Sequence, residues 1–161
     1  MTPAESYSPE EPKPLGGYAV LLLIFQALVA LLVLLLMRAR KRLPEQVPPP
    51  GDLALFSVAT FKLSRLITKD KVTAAVRAPF TRYQEDAGPA EVSEAARGRG
   101  LHRAVGELLT CPYCIQQWVA TVLLGLYVWQ PRVARMTASL FAIVTGADYL
   151  QQAWVAVDKA A

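Results

Sequence analysis

LGGYAVLLLIFQALVALLVLLLM, residues 15 to 37, is the stretch whose reading decides the fold: 23 consecutive residues with no charged side chain. As a helix rising about 1.5 Å per residue it is roughly 34 Å long, enough to cross the hydrocarbon of a bilayer. It lacks the basic leader and small-residue cleavage site of a signal peptide, so it reads as a retained N-terminal transmembrane anchor over 15–37. Upstream, residues 1–14 hold Pro3, Pro9, Pro12 and Pro14, with Glu5, Glu10 and Glu11 against the single Lys13. That composition cannot support a packed core and predicts a disordered acidic tail. Downstream comes Arg38-Ala39-Arg40-Lys41-Arg42, a cluster of the kind retained on the cytoplasmic side, which puts the N-terminus outside. Residues 38–51 form a basic, proline-rich linker, ending in the stiff helix-breaking run Val47-Pro48-Pro49-Pro50-Gly51.

Two further apolar blocks follow: Pro112 to Gln130 without a charge, and Met136 to Val157 with only Asp148. The whole chain of 161 residues is 53% apolar and 19% charged, below the roughly 25% charged of a soluble domain. A secreted disulfide scaffold, a disordered charged chain and a second large soluble domain are excluded. The expected fold class is all-α: a polytopic integral membrane protein with three clear transmembrane helices and a short basic helix that is either a fourth span or interfacial. The short connection from Gln130 to Arg135 makes 112–157 an antiparallel hairpin. Ala138, Ala142 and Gly146 on one helix and Thr121 with Gly125 on the other supply small residues for close approach. Tyr127, Trp129, Tyr149 and Trp154 read as interfacial belt residues.

Between anchor and hairpin, residues 52–157 begin with a helix over 53–68, capped by Asp52, with Lys62, Arg65 and Lys69 along one face. Either its basic residues snorkel from a short span, or it lies on the cytoplasmic surface. Charge counting favours the second arrangement: residues 38–110 then gather 13 of the 17 Lys and Arg residues on the cytoplasmic side. Residues 69–100 show no sustained period of 2 or 3.6 and predict a loop with short helical pieces. Leu101, Val105, Leu108 and Leu109 then predict an amphipathic helix over 101–110.

Cys111-Pro112-Tyr113-Cys114 is the sharpest local motif, and it carries several readings. By spacing it matches a glutaredoxin dithiol, which makes Cys111 and Cys114 candidate redox residues. A soluble glutaredoxin is excluded, because a hydrophobic block replaces the βαβ unit around the motif. A zinc site needs four ligands, and one chain offers two cysteines and His102 alone, so a metal would need a four-thiolate site shared across a dimer, and no metal or cofactor is expected. Packing of two small side chains at the start of a membrane helix, with Pro112 in its first turn, is the plainest reading. A structural disulfide would require the oxidising side of the membrane, which the topology favoured by charge denies. Asp148 lies well inside its apolar block and needs a partner at that depth. Arg65 or Lys62 could provide it as an intramembrane charge pair; a proton or ion pathway in a small oligomeric transporter is the alternative.

Lys62-Leu-Ser-Arg65-Leu-Ile-Thr-Lys69-Asp70, Arg77-Ala-Pro79-Phe80 and Gly106-Glu107-Leu-Leu-Thr-Cys111-Pro112-Tyr-Cys114, followed by Trp118, resemble the bacterial family known as domain of unknown function 1360. The resemblance covers about residues 53–155 and singles out Asp70, Arg77, Pro79, Glu107, Pro112 and Trp118 as family-motif residues. It implies an all-helical membrane domain in small bacterial membrane proteins, some labelled sporulation proteins. It moves helix 53–68 toward being embedded, and it implies no catalytic activity. The expectation is a multi-pass protein of the bacterial inner membrane, an interaction or assembly component rather than an enzyme. Its partners are the lipid bilayer and a membrane protein or further copies of itself. A membrane dithiol redox protein and a transporter using Asp148 are the alternatives. Nucleic acid is not expected as a partner, since the net charge of +4 is explained by the membrane-flanking cluster.

Overall fold

Helix α1, Leu15–Arg38, occupies the charge-free stretch in a computed structural model that describes residues 7–8, 13–38 and 48–160. No proline or charge interrupts it before Arg38 in its last turn. Its covered positions, Gly17, Leu21, Phe25, Val29, Leu32 and Leu36, recur every three or four residues and form a single stripe. On the other faces the leucines stand open, Leu23 at 68% exposure and Leu22, Leu31 and Leu35 beside it. Most of the expected acidic tail, and residues 39–47 of the basic linker, lie outside the described residues.

After the linker come α2 (Pro50–Thr68), a single 3₁₀ turn (Lys71–Thr73), α3 (Ala74–Arg77), β1 (Thr81–Gly88), β2 (Glu91–Ala96), α4 (Gly100–Thr110), α5 (Pro112–Trp129) and α6 (Pro131–Asp158). The described residues divide into two compact units. One takes those of Met1–Leu31 with Arg65–Ile115, the other those of Leu32–Ser64 with Gln116–Ala161.

In the first unit, β1 and β2 pair antiparallel from Thr81 opposite Ala96 to Gly88 opposite Glu91. The expected loop over 69–100 is corrected by this hairpin, and with it the all-α fold class. The sequence hides the strands because the register shifts twice, between Tyr83 and Glu85 and between Asp86 and Gly88, and each extra residue destroys the period of 2. Along β1 only Thr81 is buried, so there is no apolar face to read. The turn at Pro89-Ala90 holds Ala90 at φ 61°, an unusual conformation for a residue with a Cβ. Residues 69–71 extend the pairing on the other edge of β2: the Lys71 amide donates to the Ala90 carbonyl and the Val92 amide to the Lys69 carbonyl, both at 2.9 Å. Helix α4 covers the hairpin through Gly106, where an added Cβ would lie 2.5 Å from the Phe80 carbonyl oxygen and 2.9 Å from the Ala96 Cβ. It meets α1 through Gly17, whose Cβ would come within 2.7 Å of the Ala104 Cβ.

The second unit is helical. Phe56 and Ala59 of α2, Val119 and Leu123 of α5, Ala134 and Ala138 of α6, and Leu36 of α1 are its buried apolar residues. Phe56 meets Tyr127 edge to face, with ring centroids 5.3 Å apart. Gly125 admits Leu32, whose Cδ2 would lie 2.6 Å from an added Cβ. Helices α5 and α6 are joined through Gln130, with Pro131 at the start of α6. Of the small residues expected to form a ridge on α6, Ala138 is buried and Gly146 faces open space.

The expectation of three clear transmembrane helices is corrected as well. Among the described residues, one helix is long and apolar enough to cross a membrane, Leu15–Arg38. A second passes only if Gly100–Thr110 and Pro112–Trp129, which bend at their junction, are taken together. The physical reason is polar dilution. Gln116 and Gln117 lie in α5, while α6 carries Arg132, Arg135, Asp148, Gln151 and Gln152, so absence of charge over a block overstated its apolarity.

Candidate functional site

Two of the expected motif residues, Asp70 and Arg77, meet at one buried guanidinium. Arg77, at the end of α3, is 0% exposed, and a buried charge survives only when paired and hydrogen-bonded. Its Nε donates to Glu94 of β2. Its Nη1 donates to the Ile67 carbonyl at 2.9 Å and to Thr73 Oγ1 at 2.6 Å, and its Nη2 to the Asp70 carbonyl at 3.0 Å. Thr73 Oγ1 in turn donates to the Leu66 carbonyl at 2.5 Å. The Leu66 and Ile67 carbonyls belong to the last turn of α2, where intrahelical donors have run out. Arg77 therefore caps α2 with a cation at the negative end of its dipole and ties it to the hairpin.

Arg65 reaches the same hairpin. It grips Glu91 bidentately, Nε to Oε1 at 2.9 Å and Nη2 to Oε2 at 2.5 Å. Arg65 is thus placed against Glu91, and it is Lys62 that meets Asp148 in the second unit, Nζ to Oδ2 at 2.8 Å, the two side chains 16% and 48% exposed. Pro79 accepts the Arg97 Nε at 2.8 Å through its carbonyl. Glu107 accepts from Tyr18 of α1 and, at 2.9 Å, from Arg103 Nε. Pro112 is the first residue of α5, and Trp118 is half-buried along it. Glu91 and Glu94, the carboxylates that complete the arginine brace, escaped sequence reasoning. The available signal was electrostatic: two motif arginines needed acids nearby, and Glu91 and Glu94 are two of the five acids in the segment read as loop.

A second ion pair escaped as well. Arg135 of α6 holds Asp52 of α2 with Nε at 2.9 Å from Oδ1 and Nη2 at 2.7 Å from Oδ2. The Arg135 hydrogen bonds, helped by Tyr127, hold the Asp52 carboxyl below its ordinary range. The Arg135 guanidinium is raised in return by Asp52.

The cysteine pair lies at the junction of α4 and α5. Cys111 is extended, at φ −108° and ψ 103°, and starts α5 as its cap: its carbonyl accepts the Cys114 and Ile115 amides at 3.1 Å. Its Sγ accepts the Cys114 amide at 3.2 Å. The two cysteines form a disulfide with Cα atoms 5.3 Å apart. A ring closed over four residues contributes only about 2 kcal/mol of loop-closure stabilisation, less than longer loops would give. Cys114 is exposed and Cys111 half-buried.

Compared with known proteins, residues 55–154 match the family described as Protein of unknown function (DUF1360). The chain is also 32% identical over 94 residues to the Sporulation protein YjcA of Bacillus subtilis (strain 168), covering 56% of this chain and 80% of that protein. No solved structure matches it.

Proposed function

Because the chain belongs to the family described as Protein of unknown function (DUF1360), we propose that it is a membrane-anchored interaction or assembly component. By the name of its Bacillus relative, sporulation is the process in which we place it. The observation that carries the reading is α1. It is packed along one stripe, with leucines open on every other face, and water would not tolerate so large an apolar surface. Alkaline carbonate extraction tests this: the full chain stays in the membrane pellet, and release into the supernatant would overturn the anchor.

The orientation we propose has the N-terminus outside. The Arg38–Arg42 cluster holds one end of α1 in the cytoplasm. Within the first unit, Gly17 abuts Gly100 and Ala104, and Tyr18 bonds Glu107, one helical turn before Cys111. The hairpin, α4 and the cysteine pair therefore belong with the N-terminal end of α1, which this orientation puts outside. Lys62 of α2 is neutralised by Asp148 of α6 within the second unit.

The interaction surface is on α6. Val133, Met136, Leu140, Ile143, Ala147, Leu150, Trp154 and Val157 are spaced alternately three and four residues apart, and all are exposed. This is the seam of a helix that pairs with another of the same period, and a second copy of the chain presents the same seam across a twofold axis. Size-exclusion chromatography with light scattering in detergent tests it: an oligomer is expected, and a monomer at every concentration would refute self-association.

A further inference from the structure

We propose that the Cys111–Cys114 disulfide is a thiol–disulfide exchange site that passes its bond to a partner protein carrying two cysteine thiols, with Cys114 the sulfur attacked and Cys111 the sulfur that leaves. Three observations converge on this. The bond is reachable, since Cys114 is exposed and neighbouring Tyr113 is 78% exposed. The ring it closes spans only Cys111 to Cys114, too short to contribute much as a staple. The two sulfurs are also unequal. Cys111 caps the 18-residue helix α5, and its Sγ accepts the Cys114 amide at 3.2 Å. Amides of a first helical turn stabilise negative charge, so charge appearing on a departing sulfur is best received at Cys111.

The exchange takes two steps. A partner thiolate attacks Cys114 Sγ; the partner–Cys114 bond forms, the Cys111–Cys114 bond breaks, and the electron pair goes to Cys111 as a thiolate. The partner's second thiolate then attacks the partner's own first sulfur. The partner disulfide forms and Cys114 leaves as a thiolate. Two partner thiols are oxidised and one disulfide is reduced, and the two protons given up by the partner are taken up by Cys111 and Cys114. The exchange chemistry stands on the local geometry alone. Its placement on the outer face, where disulfides persist, rests on the orientation proposed above.

The test uses the oxidised full-length chain in detergent, mixed with a reduced peptide holding two cysteines and quenched with acid for mass spectrometry. One peptide disulfide per chain is expected, and a single-cysteine peptide is expected to leave its adduct on Cys114. A bond that dithiothreitol reduces but the peptide does not would overturn the proposal, as would an adduct on Cys111. In reduced variants, Cys111 of Cys114→Ser should react with iodoacetamide at pH 7 several-fold faster than Cys114 of Cys111→Ser. Equal rates would overturn the leaving-group assignment. A membrane-impermeant maleimide applied to intact, reduced cells addresses placement separately: labelling from outside supports the outer face, and labelling only after permeabilisation overturns that placement while the peptide result stands.

Discussion

Arg77 is the residue on which the first unit turns. Removing it leaves Glu94 as a buried charge, its side chain 5% exposed, with the Ile67 carbonyl stripped of the guanidinium donor. Arg77→Ala is expected to cost about 3 to 5 kcal/mol, read from chemical denaturation in detergent. Pairing Arg77→Met with Glu94→Leu removes the stranded carboxylate and should recover part of the loss. Full recovery would show that the guanidinium contributes nothing as a cap of α2. Asp52 gives a pH signature instead. Its carboxyl is held below the ordinary value by Arg135, so the folded chain binds that proton less readily than the unfolded chain does. The pair's contribution is therefore present above the unfolded carboxylate range, near pH 4, and is lost as pH falls through the lower folded value. Asp52→Asn should flatten the acid limb of a melting-temperature profile, and an unchanged limb would refute the pairing.

At the scale of elements, the hairpin and α1 make separate predictions. Ala90 carries a Cβ in a left-handed conformation, so Ala90→Gly should stabilise the chain by about 1 kcal/mol in the same denaturation assay. Gly106→Ala should destabilise it by about 1 to 3 kcal/mol, because the new methyl meets backbone at Phe80 and Ala96 that cannot give way. In α1, Leu23→Arg on the open face should cost roughly 2.5 to 3.5 kcal/mol of insertion and move protein into the carbonate supernatant. The hairpin is also where sequence reading fails for a physical reason. Two register shifts and the absence of an apolar face along β1 erase the alternation on which strand recognition depends. α1 is legible because 23 consecutive residues without a charge or proline favour one uninterrupted helix whatever surrounds it.

At the scale of the whole molecule, the exposed seam of α6 is the feature with the widest consequence. Leu150→Arg places a charge in the middle of that seam, where Leu150 is 73% exposed, far from the buried face that carries Ala134 and Ala138. Oligomer mass should fall in light scattering while the melting temperature stays within a few degrees. A coupled loss of both would mean that the seam is part of the fold instead. The candidate site was legible in halves. The motif strings around Arg65, Arg77, Glu107 and Cys111 could be marked as belonging together, but their partners Glu91 and Glu94 could not, because a carboxylate declares its arginine only once the strand register is set.

What the sequence determined by itself was the apolar helix over residues 15–37 and the family, because uninterrupted apolarity and short motifs act over a few residues and need no distant partner. Tertiary structure alone decided that residues 81–96 pair as strands, that Arg65 holds Glu91 while Lys62 holds Asp148, and that the cysteines close into a ring at the start of α5. Those outcomes depend on which groups, far apart along the chain, must satisfy one another's charge and hydrogen bonds once water is removed, and local composition carries no record of that choice.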